Sequence, residues 1–214
     1  MTRIRDFGVA PGLLPAGPLN AITDVAGVRV GHVTINRDVD GVPWRTGATA
    51  IWPHAGNPVH DRVYAATFPL NGYGEMTARS VVDEWGVLDT PILLTGTNHV
   101  GIVYHWTVQY LHERNAGEPG FEATIPMVAE CDDGYLDGSQ GRAISREDVY
   151  AALDSASGGP IAEGCVGAGT GMQLFEFKGG IGTASRLVQF GAALYTIGAL
   201  VLTNFGRRAE LRVD

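Results

Sequence analysis

The stretch 163–206, EGCVGAGTGMQLFEFKGGIGTASRLVQFGAALYTIGALVLTNFG, restricts the fold more than any other part of the chain. Its glycines at 164, 167, 169, 171, 179, 180, 182, 191, 198 and 206 are too dense for a stable helix, where each costs about 1 kcal/mol relative to alanine. Val, Leu, Phe and Tyr recur between them too often for a flexible linker. What remains is packed β structure with close backbone approaches, because glycine inside a strand marks a bulge, a bend or such an approach. Glycine-rich turns also cradle phosphates. Neither phosphate template fits here: Gly167-x-Gly169-x-Gly171 lacks the third glycine of the dinucleotide spacing, and Lys178-Gly179-Gly180 lacks the Gly-Lys-Ser/Thr order.

A chain of 214 residues with 45% hydrophobic and 18% charged residues is long and apolar enough for one sizeable core. A net charge of −8 and a pI near 5.2, with Arg207-Arg208 as the only basic pair, argue against a nucleic-acid partner. The apolar run from Gly191 to Leu202 is broken by Gly, Thr and Tyr and falls short of the roughly 20 residues that a bilayer requires. Cys131 and Cys165 are expected as reduced, mostly buried residues, since a chain of this size does not need a disulfide. MTRIRDFGVAPG has no apolar segment after its charges, so no secretory signal is visible and a cytoplasmic location is expected.

Residues 1–26 are rich in Pro and Gly and suit an extended arm lying over a core. Strands are expected at Val28–Ile35, where V-R-V-G-H-V-T-I alternates, at Ala48–Trp52 after the Asp40-Gly41 turn, and at Arg62–Phe68. Helical spacing runs from Glu75 to Trp85 and stops at Gly86. A strand at Ile92–Thr95 precedes a helix over about 101–115, a strand follows at Ile125–Ala129, and Ser145-x-x-Asp148 is a capping box opening a third helix. Helices segregated from hairpin-like strands indicate an α+β layered architecture in one domain, 1–214. The chain then closes on A-L-V-L, the turn Asn204-Phe205-Gly206, and an expected return strand at 209–214. An unpartnered strand leaves hydrogen-bonding groups for another polypeptide to satisfy.

The residues offer a site-like architecture without a nucleophile. His105 and His112, seven apart, share a helix face, and His99 lies nearby, but zinc would want a third ligand and often an HExxH-like spacing. These read as exposed histidines, and no metal is expected. No serine has the G-x-S-x-G context of a nucleophile elbow, so Ser155 and Ser185 read as capping or packing residues.

GPLNAITDVAGVRVGHVTI at 17–35, FPLNGYGEMT at 68–77, AECDDGYL at 129–136, PIAEGCVGAGTGM at 160–172, EFKGGIGTASR at 176–186 and TIGALVLTNFG at 196–206 together resemble the L-aminopeptidase/D-amidase-esterase family, which includes the β-aminopeptidases. The segments run in family order over the whole chain. The resemblance implies an αββα sandwich, two stacked sheets flanked by helices, and a precursor that cuts itself into a large α fragment and a smaller β fragment. The β fragment would begin with the nucleophile, Ser or Thr. An amino-terminal nucleophile carries its hydroxyl and a free α-amine on one residue, so the amine can act as base directly or through water. This chain looks like the α fragment, which in the family runs a few tens of residues beyond the Asn-Phe-Gly turn. A missing tail or a different cleavage point is therefore expected.

By motif matching, the family's oxyanion-stabilising asparagine falls on Asn204 and its tyrosine partner on Tyr135, while the carboxylate that receives the substrate's amino group falls on Glu130. Each has a plainer reading: Asn204 as turn chemistry, Tyr135 as a core residue, and Glu130 as one of a solvated acidic run with Asp132 and Asp133. Asn71, Glu75 and Asn98 are further cleft candidates. The resemblance implies hydrolysis of short peptides, amino-acid amides or esters by an oligomer of αβ pairs, with no cofactor. A self-cleaving acyltransferase and a non-catalytic oligomeric scaffold are the rival expectations.

Overall fold

The computed structural model describes residues 3–118, 121 and 123–212. The first two strands, β1 (Arg29–Val39) and β2 (Val42–Trp52), form an antiparallel hairpin of eleven paired positions. Asp40 and Gly41 join them, both at positive φ (51° and 78°), as a turn that matches strand twist demands. Val30 and Ile35 point to opposite faces of β1 and both are buried, so the sheet is covered on both sides.

Strands β3 (Val63–Tyr64) and β4 (Val87–Leu88) make a small pair around helix α1 (Arg79–Trp85). Strand β5 (Ile92–Gly96) runs antiparallel to β2 and parallel to β6 (Met127–Cys131), giving the order β1-β2-β5-β6. Parallel neighbours require a crossover, and helix α2 (Val100–Arg114) supplies it. Helix α3 (Arg146–Asp154) starts at the expected capping box, with the Ser145 hydroxyl accepting from the Asp148 N–H. Val103 and Leu111 of α2 and Val149 and Leu153 of α3 pack with Ile35, Ala48, Ala50, Leu93 and Val128 on one face of the sheet.

The other face is covered by the C-terminal third. A 3-10 turn at Gly167–Gly171 is followed by the short pair β7 (Gln173–Leu174) and β8 (Phe177–Lys178), then by the hairpin β9 (Ile181–Phe190) and β10 (Ala193–Leu202). Leu200 of β10, with Ile22 and Ile161, meets Val30 and Ile51 from the sheet. The result is the α+β sandwich expected: α2 and α3 cover one face of the sheet, while the other face meets the hairpin and, through Val82 packed on Met127 and Ile92, helix α1. The outward face of β10 carries exposed Tyr195, Ile197 and Val201. The N-terminal arm lies on β9 as expected: Asn20 Oδ1 accepts from the Ser185 N–H (3.1 Å) and Asp24 Oδ2 from the Ser185 hydroxyl (2.6 Å). No described helix is long and apolar enough to cross a membrane.

Several expectations are corrected. Residues 75–78 do not begin a helix. Met76 bridges to Ala129 and the Thr77 N–H donates to Val128, so β6 recruits this segment as extended chain before α1 starts. Only Val63–Tyr64 of 62–68 is strand. The return strand is absent from 209–212. There the Glu210 carboxylate accepts from the Arg207 N–H (2.7 Å) and closes a 3-10 turn, while 213–214 lie outside the described residues. The last strand of the chain is instead β10, whose one strand neighbour among the described residues is β9. Part of the glycine-rich stretch, 167–171, is 3-10 helix instead of β structure. Cys165 is exposed and Cys131 only half-buried, both as free thiols. His99 is fully buried at 0% exposure, unlike His105, because the turn that starts α2 tucks it under the sheet's end.

The glycine density answers to contact between layers. A Cβ on Gly47 would meet the carbonyl oxygens of Val33 and Gly167 well inside contact distance, and neither backbone can retreat. Gly47→Ala should therefore destabilise the protein by about 1–3 kcal/mol or more. Gly72→Ala, in a loop with open space around it, should shift stability by less than about 0.5 kcal/mol. Urea midpoints of the two variants check this, and equal midpoints would mean that the layers separate without cost.

Candidate functional site

The ends of β6 and β10 come together although they are far apart in sequence. The Cys131 thiol, last in β6, donates to the Leu202 carbonyl, last in β10 (3.6 Å). Two residues on, Asn204 Nδ2 donates to the Asp132 carbonyl at 2.6 Å. A carbonyl only accepts, so this bond fixes which end of the amide faces Asp132, and among the described residues it leaves the second Nδ2 hydrogen free. The turn reading of Asn204 is thus incomplete: its side chain ties two segments 72 residues apart.

Glu130 sits beside this junction, half-buried, paired across the parallel ladder with Thr95. Its Oε1 accepts from the Glu75 N–H at 3.3 Å and its Oε2 from the Thr97 hydroxyl. Tyr135 follows on a turn closed by the Leu136 and Asp137 N–H groups donating to the Asp133 carbonyl. At 78% exposure Tyr135 is not a core residue. The structure therefore brings Glu130, the Tyr135 turn and Asn204 to one end of the sandwich. Glu75 joins them through its backbone. Asn71, whose Oδ1 accepts from the Tyr73 N–H in its own loop, and exposed Asn98 make no described contact with them.

The acidic run is solvated only in part: Asp132 is exposed, but its neighbour is not. Asp133 is 2% exposed and Asp137 8%, folded under the turn that carries Tyr135. Asp137 accepts from the Arg45 N–H (3.1 Å), the Ser139 N–H (3.3 Å) and the Ser139 hydroxyl (2.6 Å). Ser139 Oγ also lies 3.2 Å from His99 Nε2. Since the hydroxyl has one proton and spends it on Asp137, it accepts from His99 Nε2, and His99 Nδ1 has no hydrogen-bond partner among the described residues. This serine–histidine pair does not make a nucleophile: Ser139 and His99 are both at 0% exposure, and the serine's proton is directed at a carboxylate. Cys131 is no better, because burial pushes its thiol up to about 11, with Glu130 and Asp133 adding to the effect.

His99, Asp133 and Asp137 are the side chains whose spacing suits a cation, with one donor atom from each within 4.8 Å of the others. Burial, with Asp137 adding to it, pushes the Asp133 carboxyl up to about 6, and burial keeps the His99 imidazole below its usual range against the pull of Asp137. Sequence reasoning missed this cluster and Thr97. Only the Thr-Gly-Thr-Asn step between an apolar strand and a helix hinted at the latter.

A raised carboxyl pKa means that the folded state holds its proton more tightly than the unfolded chain. The stability Asp133 contributes is complete below the ordinary value of 3.8 and is lost as pH rises through about 6. Asp133→Asn, which stays neutral, should accordingly gain on the parent protein between pH 5 and pH 8, by roughly 1–3 kcal/mol. His99 shifts in the opposite sense and is common to both proteins, so the comparison at each pH isolates Asp133. Thermal melts at the two pH values test it; a constant offset would mean that Asp133 ionises normally.

Residues 20–214 match the model of peptidase family S58. The β-peptidyl aminopeptidase BapA of Sphingosinicella xenopeptidilytica is 46% identical over 217 residues, which cover 99% of this chain and 53% of that protein. Among solved structures, a Burkholderia sp. β-aminopeptidase superposes with a TM-score of 0.93 at 46% identity, over 99% of this chain and 60% of that one. The L-aminopeptidase D-Ala-esterase/amidase of Ochrobactrum anthropi, described as a prototype serine aminopeptidase with a variant of the Ntn hydrolase fold, gives 0.90 at 42% identity, over 96% and 58% of the two chains. This chain spans about half the length of the relatives it matches.

Proposed function

Because this chain belongs to peptidase family S58, we propose that it is the α portion of a self-processed serine aminopeptidase that removes the amino-terminal residue of short peptides, amides or esters. The observation that carries the reading is the Asn204–Asp132 bond, which gathers Asn204, the Tyr135 turn and Glu130 at one end of the sandwich. Among the described residues no accessible serine or thiolate stands beside a base there. The nucleophile is assigned instead to a β portion beginning with Ser or Thr. It would lie against the free edge and apolar outer face of β10.

In this arrangement the nucleophile's own α-amine takes the hydroxyl proton as the hydroxyl attacks the substrate carbonyl. Negative charge develops on the carbonyl oxygen, and two neutral donors await it: the free Nδ2 hydrogen of Asn204 and the Tyr135 hydroxyl. Neutral donors stabilise the tetrahedral intermediate without holding a carboxylate product as an ion pair. Glu130 receives the substrate's ammonium group, which confines cleavage to the first residue. The protein is assigned to the cytoplasm as an oligomer of αβ pairs.

Intact mass and N-terminal sequencing of every chain in the purified protein test the assignment. A second, shorter chain beginning with Ser or Thr is expected, and a single folded and active polypeptide of this sequence alone would overturn it. Asn204→Ala should leave the fold intact and lower kcat by about 10²–10³, the usual cost of one oxyanion donor. Steady-state rates on an amino-acid amide check this, and loss of soluble protein would return Asn204 to a purely structural role.

A further inference from the structure

We propose that Thr97, together with the backbone N–H of Glu75, is a positioning residue that aims the Glu130 carboxylate at the substrate's ammonium group. The inference rests on the reading of Glu130 just given.

Thr97 owes its place to the strand-to-helix step. The parallel register sets Thr95 opposite Glu130 and Gly96 opposite Cys131. Thr97 then opens the 3-10 turn Thr97–His99 that leads into α2. This puts its hydroxyl on Glu130 Oε2, while the extended segment recruited by β6 puts the Glu75 N–H on Oε1. One donor on each oxygen fixes the plane of the carboxylate. Each oxygen keeps a further lone pair for a guest.

What the two donors lack is charge. Other carboxylates in the molecule meet a guanidinium, as Glu163 meets Arg3 and Asp38 meets Arg45. Among the described residues no Lys, Arg or His side chain bonds to Glu130. Its negative charge is oriented but not neutralised, which is the arrangement a cationic ligand requires and a structural ion pair does not. A free Glu side chain would scatter over several rotamers and lose that ordering on each binding event. The hydroxyl of Thr97 removes that cost in advance.

The test uses the complete, processed protein and two substrates, an amino-acid amide and its N-acetyl analogue. Thr97→Val keeps the branched shape and removes the donor. It should raise KM for the free-amine substrate about 5–30-fold with kcat within about twofold, and leave the acetylated analogue unchanged. Thr97→Ser keeps the hydroxyl and should stay near the parent protein. If Thr97→Val does not fold, Thr97→Ala measured against Thr97→Ser gives the same contrast. Glu130→Gln is run alongside and separates the two levels. If it lowers both substrates equally, the amine-anchor role of Glu130 is wrong and the present inference goes with it. If it is selective for the free amine while Thr97→Val matches the parent protein, or loses kcat on both substrates, only the positioning role is overturned.

Discussion

The close contact between the Gly167–Gly171 turn and the β1–β2 hairpin sets the position of everything that follows it in the chain. Neither Gly47 nor Gly167 has room for a side chain there, and two threonines complete the seam: Thr34 Oγ1 accepts from the Gly167 N–H (2.8 Å) and Thr49 Oγ1 from the Ala168 N–H (3.1 Å). Backbone against backbone leaves little freedom for sliding, so the segment leaving the turn has a fixed height above the sheet. The hairpin β9–β10 inherits that height, and its last residue arrives beside the last residue of β6. The junction of Cys131 with Leu202 and of Asp132 with Asn204 lies beside that glycine contact: the Thr95 hydroxyl donates to the Gly47 carbonyl, and Gly171 packs against Asp133.

The run Glu130, Asp132, Asp133, Asp137 shows how one acidic stretch serves different physical ends. Two of its members, Asp133 and Asp137, are buried, and Asp137 bonds to Ser139, which in turn meets His99 below the turn that carries Tyr135. Glu130 is half-buried and, among the described residues, its side chain meets only neutral donors. Burial raises the Asp133 carboxyl, so the folded protein holds that proton more tightly than the unfolded chain does. Burial therefore separates structural from recognising carboxylates within a few residues.

Strand β10 is a surface of an unusual kind. Its inward residues, Leu200 among them, join the core between the layers, while Tyr195, Ile197 and Val201 face outward beside an edge that no described strand occupies. A free edge backed by an apolar face is costly to leave in water and invites another strand. It also adjoins the end of the sandwich where Asn204, Tyr135 and Glu130 meet, so a chain paired with β10 would run toward the same place.

Local chemistry in the sequence was enough for the elements that depend on it. Asp40-Gly41 demanded a hairpin turn, Gly86 a helix stop, Ser145 with Asp148 a capping box, and the alternation after Val28 a strand. The glycine spacing of 163–206 foretold close backbone approach, and the motifs around Glu130, Tyr135 and Asn204 lie together at one end of the molecule. Three things required the tertiary structure. Residues 75–78 have helical spacing, yet they pair with β6, because a strand edge offers more hydrogen bonds than a frayed first turn. Nothing in the residues of 209–212 forbids a strand; it fails to form because Glu210 caps its own turn. The Thr97–Glu130 bond and the cluster of His99 with Asp133 and Asp137 join residues some thirty to forty positions apart through a parallel crossover, and no spacing along the chain encodes such a meeting. Periodicity reports which face of an element is buried, while the partners that meet there are decided by how the layers stack.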